Sequence, residues 1–213
     1  MIYPIRYYGD PILRKKAREI TEFNEELKTF GDDLVETMYD AFGIGLAAPQ
    51  VGLLRRVFLA IDTDPNAKEE EPTEGEEDEP KTIEQLREAW GVIGEYVMVN
   101  PKIVSRSGEQ YGVDGCLSTP GIFHQEIRRD MNIVVEYQDV TGKELTLEAS
   151  GRFAHVIQHE YDHLDGILFM DRLPDDQKRV FMQENRAEFA DIQRDAKHVL
   201  KEVKRDAKLI PVI

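Results

Sequence analysis

Val156–Phe169 reads VIQHEYDHLDGILF, and the run His159-Glu160-Tyr161-Asp162-His163 within it decides how the rest of the chain is read. On a helix, side chains four residues apart share a face, so both imidazoles can reach one metal ion. Glu160 directly follows the first of them, where a carboxylate can take a proton from water activated at the metal. The helix is expected from about Arg152 to Leu164, with Gly166 closing it. Two imidazoles leave the coordination incomplete, so the source of the third ligand determines the chemistry.

Three sources compete. Read onward, the segment is H-E-x-x-H-x-x-G-x-x-F, and Phe169 stands where a metzincin protease carries its third histidine. Phenylalanine cannot bind a metal. A gluzincin-like protease draws a glutamate from a later helix, and Glu184 and Glu188 are available, both in a strongly charged stretch that reads as solvated surface. Upstream, Asp114-Gly115-Cys116-Leu117-Ser118 contains the only cysteine of the chain. A lone cysteine is ordinarily an inert small hydrophobe. A Cys-His nucleophile pair would leave His163 and Glu160 without a role. A thiolate is a good ligand for zinc or iron, so Cys116, His159 and His163 with an open fourth position give the best account.

With these residues in hand the chain resembles the peptide deformylases, metal hydrolases that remove the formyl group from the initiating methionine of new polypeptides. Three motifs carry the resemblance, in the family's order. G-x-G-x-A-A-x-Q is Gly43-Ile44-Gly45-Leu46-Ala47-Ala48-Pro49-Gln50; the usual E-G-C-L-S is Asp114-Gly115-Cys116-Leu117-Ser118; Q-H-E-x-D-H-L runs from Gln158 to Leu164. Family-like sequence extends from Gly9-Asp10-Pro11 to about Arg172. Asp114 departs from the pattern: it is one methylene shorter than the usual glutamate. The resemblance implies a supporting role at that position rather than metal ligation.

The resemblance also implies a division of labour. Cys116, His159 and His163 hold a divalent metal, Fe²⁺ in the native protein with Zn²⁺ or another divalent ion as a replacement. Glu160 is the general base and then returns the proton to the departing amine. The Gln50 side-chain amide and the Leu117 backbone N–H stabilise the oxyanion. Gly43 and Gly45 let the backbone pass close to the substrate. Ile44 and Val156 form an apolar wall for the methionine side chain, and the substrates are N-formyl-Met nascent peptides. Gln158 and Asp162, beside the ligands, are candidates for orienting the imidazoles. His155, one turn before His159 on the same face, reads as packed or solvated, with a place at the pocket mouth as the alternative. His124 and His198 read as structural or surface residues. Two other function classes stay open: a metallo-endopeptidase using Glu184 or Glu188 as ligand, and a non-catalytic protein that binds formylated peptides.

Composition agrees with an enzyme of one core. The 213 residues are 41% hydrophobic with a formal net charge of −15, enough apolar content for a single catalytic domain spanning 1–213. One cysteine excludes an internal disulfide framework. The opening MIYPIRYYGD has neither a secretory nor a transit-peptide pattern, and no apolar run is long enough to span a membrane. A bacterial-type cytoplasm is the expected location, a processed organellar form being the alternative; no membrane or DNA partner is expected.

The coarse structure reads as α+β: antiparallel strands around a central metal-binding helix, with a long C-terminal helix. Asn24 can cap a helix over about 25–42, with Leu27, Phe30, Leu34, Met38 and Phe42 on one face. Strand patterns occur at Arg56–Ile61, Tyr96–Val99, Ile103–Arg106, Ile133–Tyr137 and Leu145–Ala149. An acidic insertion interrupts them at about 63–90: residues 66–80 hold eight acids against Lys68 alone, a run that reads as a solvated loop. Thr82–Trp90 is a candidate short helix that reanchors the chain. From Pro174 the tail reads as one helix, at about 175–208, with Met182, Phe189, Ile192, Ala196, Val199 and Val203 as its apolar stripe. Its end carries Lys197, Lys201, Lys204, Arg205 and Lys208, a cluster that suits the helix dipole or contact with ribosomal RNA.

Overall fold

A computed structural model describes residues 1–67, 82–206 and 211 of the chain. The first helix, α1 (Glu25–Asp40), begins at the expected cap, where the Asn24 side chain accepts a hydrogen bond from the Leu27 N–H at 3.0 Å. Leu27, Phe30, Leu34 and Met38 are buried as their spacing predicts. Phe42 is not. The helix stops at Asp40 and Phe42 takes φ +54°, which turns its ring off the apolar stripe and leaves it 74% exposed.

Five strands, β1 (Gly45–Ala47), β2 (Val57–Thr63), β3 (Val92–Ser107), β6 (Asn132–Gln138) and β7 (Glu144–Ser150), form an antiparallel sheet in the order β1-β2-β3-β6-β7. The two strands expected at Tyr96–Val99 and Ile103–Arg106 are the two ends of β3. Its pairing with β6 breaks register between Val99 and Lys102. Pro101 has no N–H for the ladder, and Asn100 takes φ +50°. The Asn100 side chain is tied to both the N–H and the C=O of Ile20 at 2.8 Å each.

Residues alternate between the two faces of β2, and both faces are covered. Val57, Leu59 and Ile61 pack with Leu34 and Met38 of α1. Phe58 and Ala60 pack with Ala154, Val156 and Ile157 of α3 (Gly151–Leu164). The metal-motif helix therefore lies on one face of the sheet and α1 on the other. β4 (Gln110–Gly115) and β5 (Phe123–Arg129) make a separate antiparallel hairpin that the sequence pattern does not reveal. Its strands carry mixed polar and apolar residues, and β4 contains Gly112 and Gly115.

The charged centre of the acidic insertion, residues 68–81, lies outside the described residues. Beyond it, α2 (Ile83–Ala89) is capped by Thr82, whose hydroxyl accepts from the Gln85 N–H at 3.3 Å. Leu86 enters the α1 core, and Trp90 stacks on Tyr39 with ring centroids 5.5 Å apart. This short helix reanchors the chain as expected.

The tail is two helices rather than one: α4 (Asp175–Glu184) and the long α5 (Arg186–Arg205). Asn185 leaves helical geometry at the joint, and its side-chain amide donates to the Phe181 C=O at 2.9 Å. The turn brings Phe181 against Phe189, with ring centroids 6.2 Å apart. Phe181 falls outside the apolar stripe read from the sequence because that stripe runs unbroken through the joint. Phe189, Ile192, Ala196 and Val203 are buried, whereas Lys197, Lys201, Lys204 and Arg205 are exposed; Lys208 lies outside the described residues. No described helix is long and apolar enough to cross a membrane.

Phe58 is fully buried between sheet and α3. Phe58→Ala is expected to lower unfolding stability by about 3–5 kcal/mol. A urea titration with unchanged slope and a lower midpoint is the measurement that checks it.

Candidate metal centre

α3 is an internal helix: every residue but Gly151, Arg152 and Tyr161 is buried. It ends at Asp165, and Gly166 follows at φ +73°, a conformation glycine adopts without strain. Phe153, Ala154, Ile157 and Leu164 supply the apolar packing that fixes its axis. The hairpin brings Cys116, just past the end of β4, onto the same helix. Cys116 Sγ lies 3.3 Å from His163 Nε2, and the two histidine Nε2 atoms are 3.2 Å apart. The ligand atoms of Cys116, His159 and His163 all fall within 4.8 Å of one another.

These atoms fit a metal. His159 Nδ1 lies 2.6 Å from Asp114 Oδ1, so its proton sits on that side and the Nε2 lone pair faces inward. His163 is held neutral: burial, then the neighbouring His159, keep its pKa well below the ordinary value. Two imidazole nitrogens and a sulfur converge on one point, where a single cation would be met by all three donors. Three donors of this type suit zinc or iron and leave room for one more ligand.

Asp114 anchors the arrangement from behind. It is 4% exposed and also accepts from Arg129 Nη2 at 2.8 Å and pairs with His155 Nε2 at 3.1 Å. Burial alone raises a carboxylate pKa; His159, His155 and Arg129 override it here and hold Asp114 below the usual range. Burial likewise opposes a charged His159, yet the Asp114 carboxylate carries its pKa well above the ordinary value in the metal-free protein. The shorter aspartate thus reaches its partners.

Glu160 sits in the opposite electrostatic setting. Its Oε2 is buried without a hydrogen-bond partner, and burial pushes its pKa up to about 7. Gly45 makes room for it: a Cβ there would lie 2.5 Å from Glu160 Oε1. A Cβ on Gly43 would lie 2.7 Å from the Leu117 side chain. Both glycines thus leave room for the protein's own side chains, and both line the cleft that opens here. Gln50 is 1% exposed; its Oε1 accepts from the Ala47 N–H at 2.8 Å, and its Nε2 points to Cys116 Sγ at 3.4 Å and Ser118 Oγ at 3.3 Å.

A cleft of about 750 Å³ opens onto this cluster. Its walls include Ile44, Gly45, Gln50, Leu117, Val156 and Glu160, so residues singled out in or beside all three motifs face one space. His163 lies behind, at 1% exposure. Sequence reasoning missed Phe42, Val113 and Arg152 at the same cleft. It also missed Arg129, whose burial no local pattern signals. Gln158 and Asp162 do not meet the imidazoles. Gln158 bonds the backbone of Asp130 and Ala154, and Asp162 pairs with Arg129 and Arg172. Of the remaining histidines, His155 is a packed residue at the cleft, His124 meets the Phe181 ring edge-on, and His198 is exposed beside Glu202. Glu184 and Glu188 are exposed, and among the described residues they join no metal-type cluster. Phe169 is buried against Phe181.

The Glu160 setting has a pH consequence. A carboxyl whose folded pKa is raised from 4.5 to about 7 stabilises the fold fully below 4.5 and loses that contribution as pH rises through 7. In metal-free protein, the stability of the parent relative to Glu160→Gln is expected to fall by roughly 3 kcal/mol across that window. Urea midpoints of the two proteins at pH 4.5, 6 and 8 check this; a constant difference contradicts it.

Comparison with known proteins agrees with this architecture. A family profile described as polypeptide deformylase matches residues 2–179. A peptide deformylase of Thermus thermophilus is 47% identical over 203 residues, covering 95% of this chain and 98% of that one. A peptide deformylase of Christiangramia forsetii is 42% identical over 181 residues, covering 84% of this chain and 86% of its own. The crystal structure of a Thermus thermophilus peptide deformylase superposes with a TM-score of 0.77 at 44% identity, covering 92% of this chain and 99% of that one. With its three motifs gathered around one cleft and its whole fold shared with these proteins, the chain belongs to the peptide deformylase family.

Proposed function

We propose that this chain hydrolyses the formamide of N-formyl-Met nascent peptides, releasing formate and the free amino terminus. One observation carries the reading: Glu160, buried and without a partner for Oε2, lies at a cleft beside the Cys116–His159–His163 cluster. The same reading takes residues 1–213 as one catalytic domain.

Cys116, His159 and His163 would hold a divalent metal, Fe²⁺ in the native protein with Zn²⁺ as the replacement. Bound there, the metal supplies Lewis acidity, which makes water more acidic and a carbonyl more electrophilic. Glu160 accepts a proton from the attacking water. With a pKa of about 7 in the metal-free protein, it is suited to exchange protons near neutrality and to return this one to the departing nitrogen. The oxyanion formed at the formyl carbon needs donors fixed in place beforehand. Gln50 Nε2 is such a donor, because its other end is locked by the Ala47 N–H; the Leu117 backbone N–H is the second. Gly45 keeps the space in which the Glu160 carboxylate sits. Ile44 and Val156 receive the methionine side chain, and an unbranched thioether adapts to such a wall.

Anaerobically purified protein loaded with Fe²⁺ is expected to release formate from an N-formyl-Met tripeptide, and to lose that activity in air. Glu160→Ala should release none. Gln50→Ala should lower kcat by ~10²–10³. Cys116→Ala should fail to retain metal, as a protease-type site built on Glu184 or Glu188 would not. No release from folded, metal-loaded parent contradicts the proposal.

A second reading concerns α5. Its Lys197, Lys201, Lys204 and Arg205 face solvent while Ala196 and Val203 face the body, a basic strip suited to the phosphates of ribosomal RNA. Pelleting with ribosomes should weaken when residues 197–213 are removed and when salt is raised; association unaffected by either contradicts this contact.

A further inference from the structure

Asp114 meets three nitrogen donors with a side chain that has only one methylene between backbone and carboxyl. Oδ1 faces His159 Nδ1 at 2.6 Å. Oδ2 faces Arg129 Nη2 at 2.8 Å and His155 Nε2 at 3.1 Å. A carboxylate held through one contact on each oxygen resists turning about its Cβ–Cγ bond only as stiffly as those two contacts allow. A second donor on Oδ2 fixes its plane, and that plane determines how His159 is presented.

His155 is placed for this task by three independent features. It lies one turn before His159, so the α3 geometry puts both rings on the face toward the hairpin. The β4–β5 ladder shifts register between Gly112 and Asp114, which alters the local course of β4 at the carboxylate. Gly112 leaves space for the ring: a Cβ there would lie 3.2 Å from His155 Nδ1 and 3.3 Å from Cε1. At 8% exposure, the imidazole has one edge on the cleft and the other on Asp114.

We propose that His155 is a positioning residue of the metal centre, donating from Nε2 to Asp114 Oδ2 so that the short carboxylate holds His159 Nδ1 in line for coordination. The proposal rests on the metal-site reading above, and its test separates the two. Metal-free parent, His155→Leu and His155→Gln are titrated with Co²⁺ against a chelator, following the thiolate-to-cobalt absorption that reports Cys116 coordination. Partners that orient a ligating histidine typically change metal affinity 10–100-fold. His155 acts through one such partner, so His155→Leu is expected to weaken Co²⁺ binding by roughly tenfold. His155→Gln, which keeps an amide donor, should weaken it less.

A residue that merely packs would lower the melting temperature and leave the Co²⁺ affinity and absorption unchanged. A Co²⁺ affinity within about twofold of the parent in folded His155→Leu therefore overturns the proposal. If His155→Leu does not fold, His155→Phe, which keeps a ring but removes the donor, decides by the same criterion. A parent that shows no thiolate-to-cobalt band overturns the metal site itself, and the proposal with it.

Discussion

The Arg129 guanidinium is the interaction on which the site depends. It is 3% exposed and pairs with Asp114 on the hairpin and with Asp162 on α3. The hairpin carries Cys116 and the helix carries both histidines, so this one cation joins the two bodies that share the ligand set. Burying three charges is costly, and a paired buried charge contributes less to stability than its Coulomb energy suggests. What it secures is relative placement. Arg172 shares Asp162 from the outer side, and Arg129 Nη1 also reaches the Gln158 carbonyl at 3.4 Å. An apolar replacement could fill the same volume but would not select one orientation of hairpin against helix.

Two buried carboxyls at the same centre then take opposite characters. Asp114 is surrounded by donors and stays ionised; Glu160 has an unpartnered oxygen and is pushed toward the neutral form. Environments that drive two like groups apart divide the roles of charge stabiliser and proton carrier. The packing that produces this contrast is ordinary core packing. α3 lies against Phe58, Ala60 and Met98 of the sheet, and its site face is left polar because the hairpin supplies complementary groups. Gly45, on the first strand of that sheet, contributes by lacking a side chain.

Much of this was legible in the chain. The metal helix, its two imidazoles and the α1 stripe announce themselves through spacing, which is a local property. Cys116 could be joined to them because it is the only thiol and the chemistry needed a third donor. The hairpin was silent: Gln110–Gly115 has two glycines and no sustained alternation, and its strands are held by pairing with each other. The joint at Asn185 was silent for another reason, since an asparagine within a charged stretch does not by itself interrupt a helical pattern. Arg129 and the pairing of His155 with the same carboxylate were unseen because Asp114, the partner of both, lies 15 and 41 residues from them in sequence. Long-range electrostatic pairing leaves no periodicity to read.

The ligand set has a mechanical side as well. Cys116 and His163 are 47 residues apart, and an ion held between them closes that length of chain into a ring. Closing a loop removes conformations from the unfolded chain and so favours the folded one, and a ligand that binds only the folded state adds its binding free energy to the fold. A chain with one thiol cannot make a disulfide within itself. Here the same sulfur would enter a cross-link that needs no oxidant and can be taken apart and remade, so that durability and chemical competence would arrive together.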